Sequence, residues 1–144
     1  MVAIGSDHAG YDIKCSIIEW MTENEIPFVD YGTNSTESVD YPDFAHKVAG
    51  SVVDEESVMG VLICGSGNGV CMTANKWSGV RAALCWSEEI ALLSRTHNNA
   101  NIICLPARYM NAEQAIKLVD IFFDTEFEGG RHELRIRKIN PMII

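Results

Sequence analysis

The run Met59-Gly60-Val61-Leu62-Ile63-Cys64 followed by Gly65-Ser66-Gly67-Asn68-Gly69 decides the fold of this chain. A continuous apolar stretch of this length reads as a strand covered on both faces, as in parallel sheets flanked by helices. Its abrupt end in a glycine-rich loop, with a helix following to about Lys76, is a strand–turn–helix unit. Working outward, the same alternation fills the sequence. Val2–Ser6, Phe28–Tyr31, Val80–Cys85 and Asn101–Leu105 read as four further strands. Helical spacing of apolar residues marks helices at Ile13–Met21, from Pro42 to Val52, at Glu88–Arg95, and from Ala112 to Phe123. Five strands alternating with helices predict a single-domain, Rossmann-like α/β/α sandwich on a five-stranded parallel sheet, spanning residues 1–144. The polar, Ser/Thr-rich stretch from Gly32 to Asp40 is expected to be a loop.

Bulk properties narrow the function classes. The chain has 144 residues, 47% hydrophobic and 22% charged, enough to bury a core. Its net charge of −9 speaks against nucleic-acid binding. No apolar run has membrane-spanning length, and the N-terminal Val2-Ala3-Ile4 reads as strand rather than signal peptide. The five cysteines are odd in number and contain no C-x-x-C, so reduced thiols and a cytoplasmic setting are expected, with no zinc-ligand spacing and no metal.

In open parallel sheets ligands bind beyond the carboxyl ends of the strands. The candidates there are Asp7 and His8 after the first strand, Cys64 to Gly69 after the third, and Pro106 to Arg108 after the fifth. His97 and Asn98 stand just before the fifth strand. The backbone amides of Gly65, Ser66, Gly67, Asn68 and Gly69 suit an anion or a developing oxyanion, and equally a tight turn. Val70 breaks the dinucleotide fingerprint, and no lysine completes a P-loop. Cys64 is either a buried, inert thiol or a thiolate favoured by the helix start behind it. Cys15, Cys71, Cys85 and Cys104 lie inside elements, where packing is expected, and His46 is expected to face solvent. Asp7-His8 reads as a functional or a helix-capping pair. From about Gly129 to Ile144 a basic tail carries Arg131 and Arg135, four apart, which is either a solvated charge run or a phosphate clamp on one helical face. Ile136, Ile139 and Ile144 in that tail need a packing partner, for which a subunit interface is the natural place.

Six ordered motifs carry a resemblance: Ser6-Asp7-His8-Ala9-Gly10, Asp40-Tyr41-Pro42, Ile63 to Gly69, Ala74-Asn75-Lys76, His97-Asn98, and Glu128-Gly129-Gly130-Arg131-His132. From residue 2 to about 139 the chain resembles the ribose-5-phosphate isomerase B family, whose relatives include galactose-6-phosphate and allose-6-phosphate isomerases. The resemblance implies an aldose–ketose isomerase that interconverts D-ribose 5-phosphate and D-ribulose 5-phosphate in the non-oxidative pentose phosphate pathway. It implies a homodimer, often paired into tetramers, with active sites between subunits and no cofactor. Cys64 falls at the position of the proton-transferring base. Ser66 keeps a hydroxyl where threonine is usual, and His97 is the expected ring-opening residue. Asp7, His8, the loop 65–69, Asn98, Arg108, Arg131 and Arg135 fall at substrate-contacting positions.

Three departures or choices matter. Asn99 replaces a common aspartate, which bears on how His97 is held. Pro106 replaces a common glycine, which stiffens the turn before Arg108. Cys64 places the chain with the members that use cysteine rather than a glutamate elsewhere. Competing readings are a hexose 6-phosphate isomerase on the same scaffold, a non-catalytic sugar-phosphate sensor, and a flavodoxin-like carrier. Asp7-His8 in place of a Ser/Thr/Gly phosphate cradle disfavours the last.

Overall fold

A computed structural model describes residues 1–141. Five strands, β1 (Val2–Ser6), β2 (Phe28–Asp30), β3 (Met59–Cys64), β4 (Ala82–Leu84) and β5 (Ile102–Pro106), form one parallel sheet in the order β2-β1-β3-β5-β4. Between them run α1 (Tyr11–Glu23), α2 (Tyr41–Val53), α3 (Asn68–Ala74) and α4 (Glu88–Thr96). A 3-10 turn at Ala107–Tyr109, α5 (Ala112–Asp124) and α6 (Arg131–Arg137) follow. The expected five-stranded doubly wound sandwich is therefore present. The order reverses direction between β1 and β3, which opens the crevice where such sheets bind ligands.

The apolar runs are two-faced because both faces are covered. Ile4, Ile63 and Ile103 point into one core with Ile17 and Met21 of α1, Ala91 of α4 and Phe122 of α5. Ala3, Leu62 and Ile102 point the other way, onto Val48 of α2 and Val70 of α3. Strand alternation thus splits each run between the two layers. Lys14, only 1% exposed, carries its ammonium to both carboxylate oxygens of Asp30 at 2.7 Å, tying α1 to the end of β2.

The ends of several elements differ from expectation. β2 stops at Asp30, whose carboxylate turns back to accept from Gly32 N–H, so Tyr31 lies beyond it. β4 is three residues rather than six; the Asn101 side chain takes the Arg81 N–H just before it, and the Asn75 side chain takes that of its first residue, Ala82. Pro106 is the last residue of β5, paired with Cys64. A missing N–H is tolerated there because β4 has already ended at Leu84, opposite Cys104.

Candidate active site

Two clusters gather the residues singled out from the sequence, and they sit at opposite ends of the sheet. At the carboxyl edge Cys64 closes β3, 4% exposed, in a cavity of about 310 Å³ lined also by Asp7, Tyr41, Gly65, Ser66, Gly69, Arg108 and Tyr109. Asp7 leaves β1 beside it, and its Oδ1 accepts from Gly10 N–H at 3.1 Å, so the carboxylate is fixed by the turn it caps. His8 turns toward the 32–40 loop, where Nδ1 accepts from Val39 N–H at 3.2 Å.

The glycine loop is shaped by close packing. Gly67 has φ +76°, the left-handed region, and a Cβ on it would strike Leu84 Cδ1 and lie 3.1 Å from the Leu105 carbonyl carbon. The tyrosine ring of Tyr41 occupies the space where a side chain at Gly69 would stand. Ser66 is exposed, and its hydroxyl accepts from Asn68 N–H at 3.2 Å. The Arg108 guanidinium covers Gly65, and Arg108 N–H donates to the Gly65 carbonyl at 3.0 Å. A buried thiol, a carboxylate, a hydroxyl and a guanidinium thus converge on one small cavity at the switch point.

The second cluster lines a cavity of about 460 Å³ formed by His97, Asn98, Arg131, His132, Arg135, Ile136 and Ile139. Helix α4 runs back against the strand direction, so His97 at its C-terminus lies at the amino edge of the sheet. The tail folds into α6 and brings Arg131 and Arg135 to the same place, on one helical face as their spacing predicts. Cys64 pairs with Pro106 at one end of β5, while His97 precedes Ile102 at the other. Four steps of about 3.3 Å put the two clusters at least about 13 Å apart within one subunit.

With asparagine at 99, the side-chain oxygen accepts from Arg95 Nη1 at 3.0 Å and the backbone carbonyl from Arg81 Nε at 2.9 Å, so neither is directed to His97. The ring of His97 instead stacks on His132, centroids 4.2 Å apart. Cys15 is exposed rather than packed. Cys85 and Cys104 are buried as expected, and burial pushes the Cys85 thiol up to about 11 and Cys104 well above its ordinary value. Cys71 moves the other way, lowered by a hydrogen bond from the Cys104 thiol. His46 is exposed and accepts from Trp77 Nε1 at 2.8 Å. Ile144 lies outside the described residues. Tyr41, Tyr109, Glu128 and His132 are additions to the sites. Tyr41 and the Glu128/His132 pair stood inside quoted motifs, but nothing local to them signals the partner each one meets. A further cavity, about 700 Å³ beside Trp86 and Lys117, is lined by neither thiol nor histidine.

A parallel sheet with a thiol and a carboxylate at its switch point, and a histidine–arginine cluster at the far edge, defines a doubly wound α/β protein with two candidate sites. A sequence model of the ribose/galactose isomerase family matches residues 2–139. The probable ribose-5-phosphate isomerase B of Mycoplasma genitalium is 47% identical over 140 residues, 96% of this chain and 92% of that protein. Ribose-5-phosphate isomerase B of Escherichia coli is 39% identical over 141 residues, 98% and 95% of the two chains. The crystal structure of a ribose 5-phosphate isomerase from Thermotoga maritima superposes with a TM-score of 0.96 at 48% identity, covering 98% of this chain and 97% of that one. The Mycoplasma genitalium enzyme with bound ribulose-5-phosphate superposes with a TM-score of 0.91, covering 96% and 92%. The chain belongs to the ribose/galactose isomerase family.

Proposed function

We propose that the protein interconverts D-ribose 5-phosphate and D-ribulose 5-phosphate, the sugar phosphate its relatives' names specify, as a step of the non-oxidative pentose phosphate pathway. The observation that carries the mechanism is the placement of Cys64: a thiol at the switch point, facing a cavity with Asp7, Ser66 and Arg108. As thiolate, Cys64 takes the proton from C2 of the open-chain aldose and returns it to C1. The enediolate formed between these steps carries negative charge on oxygen. The loop amides after Gly65 and the Ser66 hydroxyl are the donors for it; one preorganised donor of this kind is worth roughly 3–4 kcal/mol. Asp7, His8 and Asn68 bind the sugar and its phosphate beside the loop.

His97 opens the furanose ring, and Arg131 and Arg135 hold the phosphate, with Asn98 and Arg108 as further contacts. A group that moves a proton must come within about 3 Å of it. His97 and Cys64 of one subunit are too far apart to serve one sugar, so the site is completed across a homodimer. The Cys64 cavity of one subunit meets the His97 cavity of the other, with the tail from Gly129 packed at the interface. No metal or cofactor takes part. Among the described residues no helix is long and apolar enough to cross a membrane, and the free cysteines suit the reducing cytoplasm.

A hexose 6-phosphate isomerase and a sugar-phosphate sensor are separated from this reading by one assay. Ribose 5-phosphate, allose 6-phosphate and galactose 6-phosphate are tested side by side for binding and turnover. Turnover highest on ribose 5-phosphate is expected. Preference for a hexose phosphate overturns the substrate, and binding without turnover overturns the enzyme.

A further inference from the structure

Glu128 and His132 form, with His97, a cluster that proton transfer at Cys64 does not use. The rings of His97 and His132 stack with planes 17° apart. The His132 side chain is 9% exposed, and its Nε2 lies 3.7 Å from Glu128 Oε2. Backbone hydrogen bonds fix all three positions. His97 N–H donates to Leu93 O at 2.9 Å, Glu128 N–H to Thr96 O at 3.1 Å, and His132 N–H to Gly129 O at 3.2 Å. The end of α4 and the start of α6 are thus pinned together with the stacked rings between them.

Ligand atoms of the three side chains lie within 4.8 Å of one another, which invites a metal ion. Two features argue for a proton instead. Nearly parallel rings aim their in-plane lone pairs side by side rather than at one point. Arg131 and Arg135 line the same cavity and repel a divalent cation.

We propose that His132, backed by Glu128, is a positioning residue that holds the His97 ring by face-to-face stacking in the orientation from which His97 opens the sugar ring. This rests on the reading of His97 as the ring-opening group. In that step His97 lends a proton to the ring oxygen and recovers one from the 1-hydroxyl. The bond from C1 to the ring oxygen breaks, C1 becomes a carbonyl, and no proton is gained or lost overall. A stack of two charged imidazoles would repel. Burial holds His132 below the usual histidine range, and the neighbouring His97, Arg131 and Arg135 lower it further, against the opposing pull of Glu128. The lowered value favours the uncharged form of His132, a flat ring against which the His97 ring rests.

The test uses His132→Ala and His132→Phe on ribose 5-phosphate and on 4-deoxyribose 5-phosphate, which lacks the ring-forming hydroxyl. His132→Ala is expected to lower kcat on ribose 5-phosphate by about 10- to 100-fold, within the range of acid–base catalysis, with little change in KM. The 4-deoxy analogue should be spared, and His132→Phe, which restores a flat ring, should recover most of the loss. Equal loss on both substrates, or no recovery with phenylalanine, overturns the inference. The contact itself is read by NMR titration of His132: its midpoint should rise in His97→Asn, which removes a repelling neighbour, and fall in Glu128→Gln. A midpoint unmoved in both overturns the stack. If His97→Asn slows both substrates equally, the ring-opening reading falls and takes this role with it. If His97→Asn is selective and His132→Ala is not, only the positioning role falls.

Discussion

Mixing two inactive variants should restore activity. Cys64→Ala damages only the carboxyl-edge cavity and Arg135→Ala only the amino-edge one, at least about 13 Å away along β5. Loss of a general base costs roughly 10²- to 10⁴-fold. Loss of a charge-assisted contact to phosphate costs about 1.5–3 kcal/mol, or roughly 10- to 100-fold. Assayed well below the KM, each homodimer should therefore keep at most about a tenth of wild-type activity. In a heterodimer with shared sites, one site receives both damaged residues and the other receives neither. Random assortment makes half the dimers heterodimers, each with one intact site, so the mixture should reach about a quarter of wild-type activity. The assay is isomerisation of ribose 5-phosphate after co-refolding equal amounts of the two variants, with each variant refolded alone as control. A mixture no more active than its parents, from samples shown to contain heterodimers, would refute the shared site, since a site within one subunit leaves every site in the heterodimer damaged.

Activity should survive EDTA; loss on chelation, restored by one particular metal, would show that the reaction needs an ion. Gly67→Ala should destabilise the fold by roughly 2 kcal/mol or more, because φ +76° and contact with Leu84, Leu105 and Pro106 penalise a side chain there. Urea denaturation reads this, and an unchanged midpoint would contradict the loop geometry. Stability should fall at alkaline pH. The Cys85 thiol is raised from 9.0 to about 11 in the folded protein, so the unfolded chain releases its proton first. The contribution is full below about pH 9 and is lost as pH rises to about 11; two units at about 1.4 kcal/mol each make it roughly 3 kcal/mol. Denaturation at pH 8 and 10.5 measures it, and Cys85→Ala should flatten the dependence.

Much of the site was legible because the third strand announces itself. A two-faced apolar run ending in Cys64-Gly65-Ser66-Gly67 fixes both the parallel sheet and the edge at which the thiol emerges. The separation of His97 from Cys64 was implicit in the same alternation, since a residue before a parallel strand and a residue after one lie at opposite edges. It became quantitative only with the register of β3 against β5. The short β4 was misjudged because Val80 and Cys85 extend the apolar run, whereas asparagine side chains from other segments take the Arg81 and Ala82 N–H groups at its start. His132 on His97 and Tyr41 over Gly69 were not foreseen as contacts: each pair is about thirty residues apart, and stacking leaves no periodic trace. The partners of Asn99, Arg81 just before β4 and Arg95 of α4, left no local trace either.

The most direct test of Cys64 as the base is isomerisation in D₂O, followed by proton NMR. A proton held on a thiol is exchangeable, so solvent deuterium competes with it for return to C1. Wild-type protein should therefore make ribulose 5-phosphate carrying deuterium at C1, and Cys64→Ala should make none while still binding the sugar phosphate. Turnover by Cys64→Ala above about a tenth of wild type, or deuterium entering C1 with Cys64→Ala as fast as with wild type, would contradict the assignment of Cys64 as the base.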